Sequence, residues 1–147
     1  MMGKRWTDTP DRFEGDLAVG PLYGDRPPTR GVAGWCDWRL GEPVAEAVIA
    51  GRVAPRRGER FLVAGRPPFG ARRILLIGGP RPAENAGDAA AWAGEYSLAM
   101  AGLGCRRVLI EIPGGDPDAF LSLLAEKLGG AVPPEMVAYV AEEPCRT

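Results

Sequence analysis

Apolar residues along this chain fall into short, nearly continuous runs at 17–22, 61–64, 74–77, 108–112 and 136–141. Runs of that length bounded by Gly and Pro are the pattern of strands covered on both faces. Gly20-Pro21 reads as the turn that closes the first of them. Between the runs the spacing changes. Trp35, Trp38, Leu40, Val44, Ala45, Val48 and Ile49 recur at intervals of three and four, which places them on one helical face. Pro43 separates a short first turn from a main helix at 44–50, with Gly51 as its stop. The Ala-rich stretch 83–103 carries Trp92, Tyr96, Ala99 and Leu103 at helical spacing, with Gly104 as its cap. Asp116 is a good N-cap and Pro117 suits the first position of a helix that runs to 128 and stops at Gly129-Gly130. Strands of the buried type alternating with helices predict a three-layer α/β domain. Residues 1–15 are polar and charged and are expected as a flexible arm carrying Trp6, residues 16–143 as the domain and 144–147 as a tail.

At 147 residues, 46% of them hydrophobic and 25% charged, the chain can build one core that removes roughly 70% of the unfolded surface from water. The N-terminus lacks the apolar segment of a secretory signal, and no run approaches the roughly 20 residues that span a bilayer. A cytoplasmic location and no membrane partner are expected. Cys36, Cys105 and Cys145 are widely spaced with no Cys-x-x-Cys pair, so they read as reduced thiols, the first two buried.

A net charge of −1 argues against a partner that is mainly anionic. The distribution is uneven, however: seven Arg and one acid lie between 52 and 73. Arg56, Arg57, Arg72 and Arg73 could contact phosphates if they share one surface, but clustering in sequence does not show that they do. Nucleic acid is therefore not the expected partner.

There is no His, so a Ser, Cys or Thr nucleophile would lack its usual base, and Cys36 beside Asp37 reads as core packing. No Asp, Glu and Cys cluster has a chelating spacing, so neither a metal nor another cofactor is expected. The pairs Asp116/Asp118 and Glu142-Glu143 are explained by a helix start and a solvated tail. Glycine-rich turns after strands can bring backbone amides to a phosphate. Gly31-Val32-Ala33-Gly34, Gly78-Gly79-Pro80 and Gly114-Gly115 qualify, although none is a Walker loop or a Gly-x-Gly-x-x-Gly, and each also serves as a turn or cap.

The order of elements, with 16–23 as first strand, Gly31 to Trp38 as a helix start, a helix ending at Gly51, and the strands 59–64 and Arg73-Ile-Leu-Leu-Ile-Gly-Gly79, resembles the N-terminal domain of the cytosolic leucyl aminopeptidase family. The resemblance runs from about Asp16 to Glu143. It implies a macrodomain-like sandwich, a mixed and mostly parallel sheet with helices on both faces. It also implies that the two-metal peptidase domain lies outside this stretch, so no catalysis is expected. The leading expectation is a non-catalytic, stand-alone module that docks on itself or on another protein, such as a separately encoded peptidase-like chain. The alternative is a macrodomain-like binder of a nucleotide or ADP-ribose derivative through Gly31–Gly34 and Gly78-Gly79. That alternative requires an open crevice at the strand ends which neither Trp35 nor Pro80 fills. A second alternative is nucleic-acid binding through the four arginines.

Overall fold

The computed structural model describes residues 4–141. Among them six strands form one sheet: β1 (Lys4–Arg5), β2 (Gly15–Tyr23), β3 (Arg60–Ala64), β4 (Ala71–Gly79), β5 (Arg107–Glu111) and β6 (Glu135–Tyr139). Their order is β1-β6-β5-β2-β4-β3, and every pairing is parallel except that of β3 with β4. The mixed, mostly parallel sheet that the family resemblance implied is therefore present. Helices α1 (Gly31–Leu40) and α2 (Pro43–Ile49) cover one face, α3 (Ala86–Met100) and α4 (Pro117–Leu128) the other.

Alternation along the strands feeds both cores. Leu17 and Val19 of β2 enter the layer under α3 and α4 with Tyr96, Phe120 and Leu124, while Ala18 and Leu22 enter the layer under α1 and α2 with Val32, Cys36 and Val44. The edge strand β3 departs from the expectation of burial on both faces. Phe61 and Val63 pack inward whereas Leu62 points to solvent, because no helix on the α3 side reaches over the last strand.

The segment 35–49 also differs from its sequence pattern. Gly41 at φ 83° ends α1 and Glu42 at φ 64° turns the chain before Pro43, so the longer helix precedes the proline. Each helix then buries its own face. The single apolar stripe does not exist: Trp38 is 42% and Ile49 86% exposed, while Asp37 is buried. Asp37 is inside because its two carboxylate oxygens accept the Val44 and Ala45 amides at 2.6 and 2.9 Å, capping α2, whose Glu42 supplies no side-chain cap.

Within the stretch expected as an arm, β1 adds to β6, and Pro10–Arg12 forms a 3₁₀ turn. Phe13 is fully buried and Trp6 meets it edge-on at 5.4 Å, with its indole N–H on the Thr9 carbonyl. From Lys4 onward the chain thus packs as part of the domain. Its few apolar groups have no period by which the sequence could announce this. α3 starts after the Asn85 cap and ends at Met100, short of the expected Gly104, because Gly102 already takes φ 84°. Asp116 accepts the Ala119 amide at 2.8 Å as the cap of α4, with Pro117 in the first turn, as the sequence predicts. Glu142, Glu143, Cys145 and the tail lie outside the described residues.

Candidate functional site

The neighbours β2 and β5 send the chain to opposite faces, β2 to α1 and β5 to α4. A sheet that switches direction between adjacent strands leaves a crevice beyond their carboxyl ends. Here the opening is widened by the strands themselves. Pairing of β2 with β5 stops at Val19 and Ile110, whereas β2 runs on beside β4 to Tyr23 and Gly79. Gly20-Pro21 therefore ends one ladder and not the strand. Pro21, which has no N–H, falls where β2 keeps a partner on one side only. The resulting crevice has a volume of about 540 Å³, the size of a small-molecule site, and Tyr23, Asp25, Arg26, Arg30, Glu111 and Gly114 are among its walls.

Glu111, the last residue of β5, forms the floor. Its side chain is 4% exposed, and its Oε1 accepts the Val32 amide at 2.7 Å. α1 has no side-chain cap of its own, since Arg30 at the N-cap makes none, and the carboxyl from the neighbouring strand takes that role. Two glycines make room for it. A Cβ on Gly20 would stand 2.9 Å from Glu111 Oε1, and one on Gly31, which sits at φ +65°, would overlap the carboxyl outright. Burial pushes the Glu111 carboxyl up to about 8, the Val32 amide opposing the shift. Burial together with Glu111 also raises the Tyr23 hydroxyl well above its ordinary range, and burial does the same for Tyr96.

The segment after β5 is held from three sides. Tyr96 donates its hydroxyl to the Glu111 carbonyl at 2.7 Å, Ile112 its amide to Tyr139 at 2.8 Å, and Ala83 its amide to Pro113 at 2.9 Å. At the mouth Arg26 makes a two-pronged pair with Asp25, both contacts 2.7 Å, and lies 5.3 Å over the Tyr23 ring. Glu111 was not among the candidates drawn from the sequence. The available signal was a lone carboxylate in the apolar run Val108-Leu-Ile-Glu-Ile.

The candidates that were drawn lie in several places. Gly31, Val32, Ala33 and Gly34 form the buried first turn of α1, and of the four only Ala33 lines the crevice. Gly78 and Gly79 end β4 and line a separate cavity of about 110 Å³ with Arg57, Trp92 and Glu95. The two glycine segments are thus not brought to one site. Close packing explains the second pair, since a Cβ on Gly79 would enter the Trp92 ring and one on Gly78 the Arg56 backbone. Neither Trp35 nor Pro80 is among the crevice walls.

The four arginines also divide. Arg72 and Arg73 stand at the start of β4, where Arg73 donates to the Leu103 carbonyl at 3.2 Å. Arg56 and Arg57 lie beside Gly78, near the other end of that strand and roughly 16 Å away at 3.3 Å per residue. Arg56 pairs with Glu59 and Arg57 approaches Glu95. Cys36 is fully buried and its thiol is pushed up to about 12 by desolvation, with Asp37 adding to the shift, so it is no nucleophile. Cys105, expected to be buried, is only partly so, because it lies beyond the end of α3 in the turn before β5. No group of three His, Cys, Asp or Glu converges among the described residues, and no helix there is long and apolar enough to cross a membrane.

This sheet order with helices on both faces is a macrodomain-like α/β fold. Solved structures with the same fold include the macrodomain of Mycobacterium tuberculosis DarG, at a TM-score of 0.64 and 14% identity over 97% of this chain and 99% of that one. They also include a Trypanosoma brucei macrodomain in complex with ADP-ribose, at 0.63 and 15% over 93% and 62%. A tomato leucine aminopeptidase matches at 0.57 and 15%, over 95% of this chain and 34% of that one, which supports the macrodomain-like fold that the resemblance implied. No family model and no curated protein matches the chain.

Proposed function

We propose that this chain is a macrodomain-like binding module for a nucleotide or ADP-ribose derivative, seated in the crevice between the ends of β2 and β5. The observation that carries the reading is the crevice itself: it lies at the switch point of the sheet, has the volume of a small-molecule site, and has Arg26 and Arg30 among its walls. Arginine at such a mouth suits the phosphates of a ligand, and the Tyr23 ring offers a surface for stacking. The ADP-ribose complex of the Trypanosoma brucei macrodomain, on the same fold, supports that ligand class. The reading moves the site from Gly78-Gly79 to Glu111, Arg26 and Gly114.

The module binds without catalysis. The chain has no His, and Tyr23 and Thr29 are the hydroxyl-bearing side chains lining the crevice among the described residues. Calorimetry and thermal unfolding with ADP-ribose, ADP and nucleotide sugars test the proposal. A ligand at a hundred times its dissociation constant adds about 2.7 kcal/mol and a shift of several degrees. Absence of any heat or shift at millimolar ligand refutes it.

A second reading, docking on a second copy or on another protein, is favoured by one surface feature. Trp38 is half-exposed beside Trp35 at 5.1 Å, and Arg39 lies 4.6 Å over its ring, a Trp and Arg cluster of the kind that anchors interfaces. Sedimentation showing a dimer that Trp38→Ala converts to monomer would establish it, and a monomer at 100 micromolar would dismiss the self-docking form.

A further inference from the structure

Glu111 has fewer partners than its depth demands. Oε1 takes the Val32 amide, no second hydrogen bond reaches the carboxyl among the described residues, and Glu111 is one of the residues that line the crevice. No Lys or Arg of the described residues pairs with the carboxyl. An ionised carboxylate only 4% exposed has lost most of its water and gained one amide in return, which favours the neutral acid. A neutral carboxyl is a donor as well as an acceptor, so Glu111 in the crevice wall has an O–H to offer a ligand there. Meanwhile the positive end of the ten-residue helix α1 is left uncompensated, because a neutral cap carries no charge.

The charged and titratable groups around Glu111 are few. From β2 comes the Tyr23 hydroxyl and from α3 the Tyr96 hydroxyl, both held neutral. From the loop before α1 come Asp25, Arg26 and Arg30, the first two paired with each other. α1 itself contributes the Val32 backbone amide. α4 and β6 present no ionisable side chain to the crevice among the described residues. Among the described residues around the crevice, Glu111 is the carboxyl that burial pushes up.

We propose that the floor of the crevice is a proton-linked anion subsite: neutral Glu111 donates a hydrogen bond from Oε2 to an oxyanion of the ligand, such as a phosphate of a nucleoside diphosphate, while its Oε1 stays on the Val32 amide. Anion and proton enter together. Once Glu111 ionises, it supplies the negative charge at the α1 terminus itself and expels the ligand's. The proposal rests on the reading that the crevice takes a phosphorylated ligand, and it adds Glu111 as the residue that sets the pH range of binding.

Inorganic sulfate is the probe, because its charge is constant between pH 6 and 9. Sulfate affinity of the whole chain, followed by amide shifts of Val32 and Ala33, should fall roughly tenfold between pH 7 and pH 9. In Glu111→Gln, whose amide donates without titrating, the affinity should be equal at both values. By reciprocity, saturating sulfate must raise the titration midpoint of the Glu111 carboxyl carbon in the unmutated protein, a readout that needs no variant. Equal sulfate affinity of the wild type at pH 7 and 9, an unmoved midpoint, or no sulfate binding at pH 7 each overturns the subsite. ADP-ribose bound with pH-independent affinity would overturn it while leaving the nucleotide reading intact. Proton-linked sulfate binding without any ADP-ribose binding would do the reverse.

Discussion

Raising the pH should destabilise this protein through Glu111, and replacing Glu111 by Gln should remove that effect. In the unfolded chain the carboxyl titrates near 4.5, and in the folded protein burial pushes it up to about 8. Below pH 4.5 both states hold the proton and Glu111 contributes no pH dependence. Between 4.5 and 8 the unfolded chain has released a proton that the folded one keeps, so folding takes up a proton and stability falls with rising pH. The slope is about 1.4 kcal/mol per pH unit, and the window removes roughly 5 kcal/mol, a large share of the 5–15 kcal/mol typical of a domain. Above 8 the loss is complete. Urea unfolding at unit intervals from pH 5 to 9, on wild type and Glu111→Gln, measures it. Taking the difference between the two proteins cancels groups they share, such as Asp16, whose carboxyl is held low by the Arg107 and Arg106 amides. The variant should gain on the wild type steadily across the window. A difference that stays flat to within about 0.5 kcal/mol from pH 5 to 8 would refute the argument that Glu111 folds as the neutral acid.

Other substitutions test other contacts. Asp37→Ala should cost about 2 kcal/mol by uncapping α2, and Asp37→Asn, which keeps one acceptor, about half of that, both read by urea unfolding at pH 7. Gly31→Ala should cost about 2 kcal/mol or more, because φ +65° strains any Cβ and the methyl would meet the Glu111 carboxyl; full stability would show that α1 starts differently. Tyr96→Phe should cost about 1 kcal/mol, measured the same way, by stranding the Glu111 carbonyl. Cys36 should resist iodoacetamide at pH 8.5 in the native protein and react after denaturation, with mass spectrometry locating the adduct.

The sequence by itself determined what neighbours in the chain can settle. Continuous apolar runs marked β2, β4, β5 and β6, since strands covered on both faces leave no polar position in the alternation. Asp116-Pro117 marked the start of α4, and the alternation of strand and helix marked the three layers, because caps and periods are local. Only the tertiary structure decided which strands lie side by side. β2 and β5 are far apart in sequence, yet their adjacency makes the switch point and hence the crevice, while the same order of strands leaves Gly78-Gly79 at a different cavity from Gly31–Gly34. Glu111 meets Val32 across 79 residues, and Asp37 caps a helix that the apolar spacing had merged with its own. A carboxylate in a strand has no fixed charge or partner until packing settles how much water it keeps and which amide faces it. That environment is set by contacts distant in sequence, which is why Glu111 could be read as a letter but not as a site.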